Sequence, residues 1–480
     1  MIKKILLYSI LFSINIFAFD LGFGEIKIPD FKSENNSSTI KDNNISETFE
    51  LKYKQEHYLE AAKIAASEET IIGNLNSAIS YKNAKDYNHS NNIFDISEED
   101  FKKDDTKNIF TSFIDTVGSV VLNDSFTSYP RKIYEGIMVN TYKGINFIYL
   151  DDNSNARVEF NRALDRQRRA KEYFEAEVAE YKKEQETKKE EFNKKQKDAK
   201  QKADIDSIAN NKKTVSAIDK EYSNLFQFKA YPDFVNPFAS YMAGLYFLKD
   251  GDYAKATDLF KEVYGMETSN IYVKEDLKLA LKASKGLGGL GNKRYAWVII
   301  EDGLAIKKIE KSIKLPLFIV TDKAMYSELA LPNLEENIAG SKTYFVSSYQ
   351  KKHKALLLSD MDKIIKTEFK KRFDMIKMKA ITSTIAKTYF QTFLQEKAGA
   401  LGMFAGAIYQ STTTGADLRM WTTLPKRFML ARVEIKNKPI KIYGDDKLLL
   451  SIPIKKNQNM IIFMKKSTPN TKVINETIYF

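Results

Sequence analysis

Three clusters in this 480-residue chain hold residue types that could do chemistry. The densest is GADLRMWTTLP, which contains Asp417, Arg419 and Trp421. An arginine beside a tryptophan can stack on it or hold an anion, which makes Arg419 and Trp421 the candidate ligand contacts. The competing reading is a structural corner, with Trp421 covering a β core and Pro425 ending a turn. Glu301 and Asp302 form the second cluster. They precede Gly303 between apolar alternations, and that pattern signals a β-hairpin turn more than paired-acid catalysis. The third is Gly286, Gly288 and Gly291, which fit G-x-G-x-x-G. A dinucleotide fingerprint follows a strand and opens a helix. Here the helix comes first, so the stretch reads as a linker.

Composition narrows the chemistry further. The chain has no cysteine, so thiolate metal sites, disulfides and an acylated N-terminal cysteine are excluded. Its three histidines, His57, His89 and His353, are far apart in sequence, which argues against a histidine triad or zinc site. The sequence shows no P-loop, G-x-S-x-G, H-E-x-x-H or EF-hand loop. No catalytic, cofactor or metal residue is therefore expected, and the expected activity is binding rather than catalysis. The net charge of +12 suits anionic lipid or glycan. The competing explanation is the Lys-, Asn- and Ile-rich composition of AT-rich genes.

What must position a binding surface is legible as a spacing. Gly144, Phe147, Ala156, Phe160 and Ala163 stand at offsets 0, 3, 12, 16 and 19. That is the small/aromatic spacing of a tetratricopeptide (TPR) unit. The small residues let two helices approach and the aromatics fill the wedge between them. Gly244, Phe247, Ala256, Phe260 and Val263 repeat it, with Gly251-Asp252-Tyr253 as the turn. Ala78, Tyr81, Ser90, Phe94 and Ser97 repeat it without the glycine, as a degenerate unit or a coincidence. Generic helical hairpins are the alternative for the two full matches.

The remaining chain falls around these units. MIKKILLYSILFSINIFAFD has two lysines, an apolar run and Ala18, and reads as a signal peptide over 1–18 rather than a membrane anchor. Residues 19–48 read as a flexible N-terminal arm, and 49–285 as a TPR-like helical domain. A charged helical hairpin is expected at about 165–225. Its seam would be Phe174, Val178 and Tyr181 against Val215, Ile218, Tyr222 and Leu225, with its tip near Asp204–Lys213. The alternative is one solvated helix and a loop. A Gly-rich linker over 286–294 leads to an α+β domain over 295–465 and a polar C-terminal tail over 466–480. In that domain Ser359 and Asp362 read as a capping box for a long helix. Pro316 suggests an edge strand. Gly402 and Gly406 have GxxxG spacing on a packed helix, with a membrane-touching or oligomerising helix as the minority reading. Strands are expected at FMLARVEI, PIKIYGDD, LLLSIPI and NMIIFM. The fold class is mainly α: TPR-like helical hairpins with an inserted long charged helical hairpin, followed by an α+β C-terminal domain.

YEGIMVNTYKGINFIYLDDNSNARVEFNRALDRQR, NPFASYMAGLYFLKDGDYAKA and DLRMWTTLP resemble an uncharacterised family of Gram-negative TPR-containing envelope proteins. Many of its members are lipoproteins, often encoded near outer-membrane activators of penicillin-binding proteins. The resemblance implies a periplasmic scaffold or adaptor for another envelope protein, associated with the outer membrane through that partner, in an envelope or peptidoglycan-related assembly. It carries no catalytic residues over, and the missing cysteine departs from the lipoprotein members. Peripheral membrane contact stays open and nucleic acid is not expected. The alternative is a ligand-binding protein or enzyme with its site near Arg419 and Trp421.

Overall fold

The computed structural model describes residues 45, 47–106, 129, 131–195, 207, 210–223, 225–231, 234–288, 293–316, 326–349, 351–385, 415–454 and 458–480. The expected signal peptide, most of the N-terminal arm, part of the hairpin tip, Gly291, Gly402 and Gly406 lie outside the described residues.

A helical N-terminal region precedes an α+β part. The helices are α1 (Tyr58–Ala66), α2 (Ile71–Asn83), α3 (Tyr87–Thr106), α4 (Ile133–Tyr149), α5 (Asn153–Lys195), α6 (Lys212–Tyr222), α7 (Pro237–Lys249), α8 (Tyr253–Met266) and α9 (Ile271–Ser284). The strands are β1 (Tyr295–Asp302), β2 (Lys307–Pro316), β3 (Tyr326–Glu335), β4 (Tyr344–Ser348), β5 (Lys352–Lys354), β6 (Leu356–Asp360), β7 (Arg427–Glu434), β8 (Ile440–Gly444), β9 (Lys447–Ile452), β10 (Met460–Lys466) and β11 (Ile474–Tyr479). Helix α10 covers residues 361–385, between β6 and β7.

Three helix pairs, α2/α3, α4/α5 and α7/α8, place the three spaced quintets at matching points. Ala78, Phe94, Ala156, Phe160, Ala256 and Phe260 have no exposed surface. A Cβ on Gly144 would stand 3.0 Å from the ring of Phe160, and one on Gly244 would stand 2.8 Å from that of Phe260. The turns match as well. Lys85, Asp151 and Gly251 each take a positive φ. The N–H groups of Asp86, Asp152 and Asp252 donate to the carbonyls of Tyr81, Phe147 and Phe247 at 2.9 Å. This closes each first helix with a left-handed residue and a six-to-one bond. The same three aspartates then cap the following helices, accepting from the amides of His89, Asn155 and Lys255. The α2/α3 pair, which lacks the glycine, thus shares the turn and caps of the other two.

The sheets differ from the expected connections. The main sheet has the order β11-β10-β1-β7-β6. β1 pairs parallel to β10 and antiparallel to β7. Asp302-Gly303 is therefore not a β1–β2 hairpin. Gly303 does turn the chain at φ +71, but β1 is buried along nearly its whole length and sits as a central strand. β2 pairs with β3 in a two-stranded ribbon that carries Pro316 at its end. The order β5-β4-β8-β9 forms a third sheet. Asp445 and Asp446 take positive φ in its tight β8–β9 turn. The four strands expected between 428 and 464 are all present, as β7 to β10.

Three further expectations are corrected. The C-terminal tail contains β11, which pairs with β10, because INETIY alternates and places Ile478 and Glu476 in the interior. Ser359 does not cap α10, since it still belongs to β6. Asp360 caps it instead, accepting from the amide of Lys363 at 3.0 Å, while Asp362 accepts from the amide of Ile306 at 2.7 Å. The arm ends before residue 48, because residues 47–54 are helical and Phe49 and Tyr53 are buried.

The helical and α+β parts share one apolar core, which runs from Phe49 to Ile478. The linker glycines Gly286 and Gly288 turn the chain at positive φ without separating two cores.

Replacing Gly144 or Gly244 with leucine should destabilise the protein by about 1–3 kcal/mol or more, because a branched side chain would have to displace a fully enclosed ring. Thermal melts of the two variants check this. A melt equal to the parent's would show that the position tolerates a side chain.

Candidate functional site: the face of the helix pairs and its junctions

The first helix of each pair turns one face toward the α+β part. On α2, Asn76 Oδ1 accepts from Thr423 Oγ1 at 3.1 Å and Lys82 lies 3.9 Å from Glu476. On α4, the ring of Tyr142 meets the edge of Trp421 at 6.3 Å. On α7, Phe238 stacks on Phe428 of β7 with centroids 3.6 Å apart. Phe94 of α3 meets Trp421 at 6.0 Å. The groove side of the helix pairs is thus filled by the chain itself.

Trp421 is fully buried and its indole N–H donates to Thr423 Oγ1 at 2.8 Å. It is a wedge between α3 and α4 and has no surface to offer a ligand. Arg419 is partly exposed, but its fork grips Asp417, with Nε 2.9 Å from Oδ1 and Nη2 3.0 Å from Oδ2. The guanidinium also lies over the ring of Tyr129. Burial acts to raise the Asp417 carboxyl, yet Arg419 and the Lys308 ammonium outweigh it and hold it below its usual range. In the DLRMW segment the arginine is thus paired with Asp417 and the tryptophan is enclosed.

One buried charged centre had no reading in the sequence. Lys132, just before α4, cannot accept the amides at a helix start. Two glutamates do so. Glu135 accepts from Lys132 N at 3.0 Å and from the Tyr129 hydroxyl at 2.6 Å. Glu368, from α10, accepts from Ile133 N at 3.0 Å and Tyr134 N at 3.2 Å. A carboxylate at that end also opposes the helix dipole. Arg372 then holds Glu368, with Nη2 2.9 Å from Oε1, and pairs with Glu177 of α5. Burial lifts the Glu368 carboxyl to about 7 against the pull of the two amides and Lys132. Burial, with repulsion from Arg372 and Lys308, lowers the Lys132 ammonium to about 7. Burial also lowers the Arg372 guanidinium to about 10. The only sequence signal for this centre is Glu368 and Arg372 at i,i+4 on the face of α10 that carries Ile364, Ile365, Phe369 and Phe373.

A second centre ties α9 to the sheet. Asp276 has no exposed surface and accepts from Tyr241 OH at 2.6 Å, Trp297 Nε1 at 3.1 Å and Arg432 Nη1 at 2.5 Å. A third fills the contact of α3, α4 and α5. There Lys143 meets Glu98 at 2.5 Å, Asp95 at 2.7 Å and Glu159 at 3.1 Å. No three His, Asp or Glu side chains among the described residues converge as a metal site.

The charged segment takes another form than a self-paired hairpin. α5 is continuous to Lys195 and α6 returns, but both arms pack on α10. Tyr181 OH donates to the Met375 carbonyl at 2.9 Å, and Tyr222 lies 4.4 Å from Phe373 while its hydroxyl donates to the Pro332 carbonyl at 2.8 Å. Tyr181 and Tyr222 of the expected seam thus find partners in Met375, Phe373 and Pro332, 110 to 194 residues away in the chain. Comparisons with protein-family models, with characterised proteins and with solved structures give no match.

Above about pH 7, where Glu368 is charged, Arg372→Met should cost about 3–5 kcal/mol, since it leaves that buried carboxylate without its cation. Equilibrium denaturation checks this, and a loss below about 1 kcal/mol would remove the centre from the stability account. The Glu368 carboxyl stands above its ordinary 4.5 in the folded chain. Its contribution to stability is therefore full below 4.5 and is lost as pH rises through about 7. Glu368→Gln removes that titration. From about pH 7 to about pH 5, the melting temperature of the parent should rise relative to that of the variant.

Proposed function

We propose that the protein is an exported periplasmic scaffold or adaptor, a TPR-like helical array that holds another cell-envelope protein by its long charged arm. The observation that carries this reading is the length of α5, which has 43 residues against 17 in its pair partner α4. At 1.5 Å per residue α5 reaches roughly 65 Å, far past the core contacts of Ala156, Phe160 and Ala163. Past Gln185 the described side chains, Glu186, Thr187 and Glu190, are exposed and offer a polar surface. The repeated quintets with their matched turns support the TPR-like reading. The basic-apolar N-terminal run MIKKILLYSILFSINIFA supports export. The filled groove moves the partner to the outside of the array and the arm, and the use of Arg419 by Asp417 disfavours a ligand site in the α+β part.

Replacing residues 186–211 by a short Gly-Ser bridge tests this reading. The cut spares Gln185 and Thr214, both buried. The expected outcome is an unchanged circular-dichroism melt and loss of the envelope protein that the parent captures by cross-linking in intact cells. Fractionation of the same cells should place the parent in the periplasmic or envelope fraction. A cytoplasmic location, or undiminished capture by the shortened protein, would overturn the proposal.

A further inference from the structure

The sheet β5-β4-β8-β9 has two unlike faces. Tyr344, Val346, Ile440 and Ile442 point into the core and have no exposed surface. Their neighbours along the strands must therefore point the other way. The register sorts these outward residues into two rows. Lys352, Ser347, Lys441 and Ser451 are aligned across the four strands, as are Lys354, Phe345, Tyr443 and Leu448. The first row sets two lysines among two serines, and the next sets Phe345, Tyr443 and Leu448 beside Lys354. Lys352 reaches over the ring of Tyr443, 4.4 Å from its centroid, which confirms that the two rows share one face. Leu448 is 53% exposed, and Lys352, Lys354 and Lys441 are exposed.

The surroundings extend the same charge. Residues 342–354 and 434–454 contain eight lysines against Glu434, Asp445 and Asp446. Asp445 is engaged by the amides of Lys342 and Thr343, and Glu434 by Lys436 and Lys293. The lysines on the face itself keep their charge turned outward.

We infer that this outer sheet face docks on an anionic phospholipid bilayer. The rows fit one, with ammoniums at the phosphate level and Tyr443, Phe345 and Leu448 at the acyl boundary beside them. An anionic glycan is the competing occupant, and the test below separates it from a bilayer. The docking does not depend on the arm or on its protein partner, and purified protein tests it whatever the cellular location.

The test is co-flotation of the full chain with vesicles of phosphatidylcholine alone and of phosphatidylcholine with phosphatidylglycerol. The expected result is binding to the anionic vesicles only, weakened by added salt. With Lys352→Glu, Lys354→Glu and Lys441→Glu combined, partition should fall on the order of a hundredfold with the melt unchanged. Tyr443→Ser with Leu448→Ser should lower it without changing its salt dependence. Equal binding to both vesicle types, or undiminished binding by the charge-reversed protein, would overturn the inference. So would binding to soluble dextran sulfate without binding to vesicles, which would assign the face to an anionic glycan. The salt titration of the parent decides the electrostatic part even if the triple variant fails to fold.

Discussion

The face that α2, α4 and α7 share is too apolar to stand in water, and the chain covers it with its own sheet. Phe238, Tyr142, Ile145 and Leu245 lie on that face and are buried. Phe428, Trp421 and Phe463 are the aromatic side chains that meet the helix array from the other part. Buried apolar area is the main favourable term in folding, and one apolar cluster runs through both parts. Trp421, with no exposed surface, sits in that cluster.

Covering the face also encloses charge. Asp276 with Arg432, Glu368 with Arg372, Glu301 with Lys465 and Glu476 with Lys82 lie at or beside contacts between the helices and the α+β part. Buried ion pairs add little net stability, because desolvation offsets most of the attraction, but an unmatched partner is costly. Such pairs therefore penalise every alternative docking of the sheet on the helices. The helix-start centre does this most directly, because α4 has its first amides satisfied by a carboxylate from α10.

How much was legible in the sequence depended on range. The quintets at 78, 144 and 244 record contacts between adjacent helices, so the spacing itself encodes them and the glycines mark where a ring must fit. The strands at 428–464 announced themselves by alternation and turn residues. Which strands pair was not legible. Asp302-Gly303 is a sound hairpin signal, yet β1 joins β10, whose register begins at Ala296 with Met460. The arms of the charged segment showed matching apolar spacings, and a spacing states that a face is buried without stating what buries it.

The sequence alone determined the local elements: helix pairs with close approach at Gly144 and Gly244, the turn at Gly251-Asp252, and a helical part followed by an α+β part. These rest on sterics and hydrogen bonds within some twenty residues of chain. Only the tertiary structure decided that the two parts share one core, that Glu368 caps a helix 235 residues away, and that Trp421 is sealed while the lysines of β5 and β8 stand together on an open face. The physical reason is that apolar burial is non-directional. It makes a face seek cover, and the partner that covers it is selected by shape and charge complementarity across the whole chain.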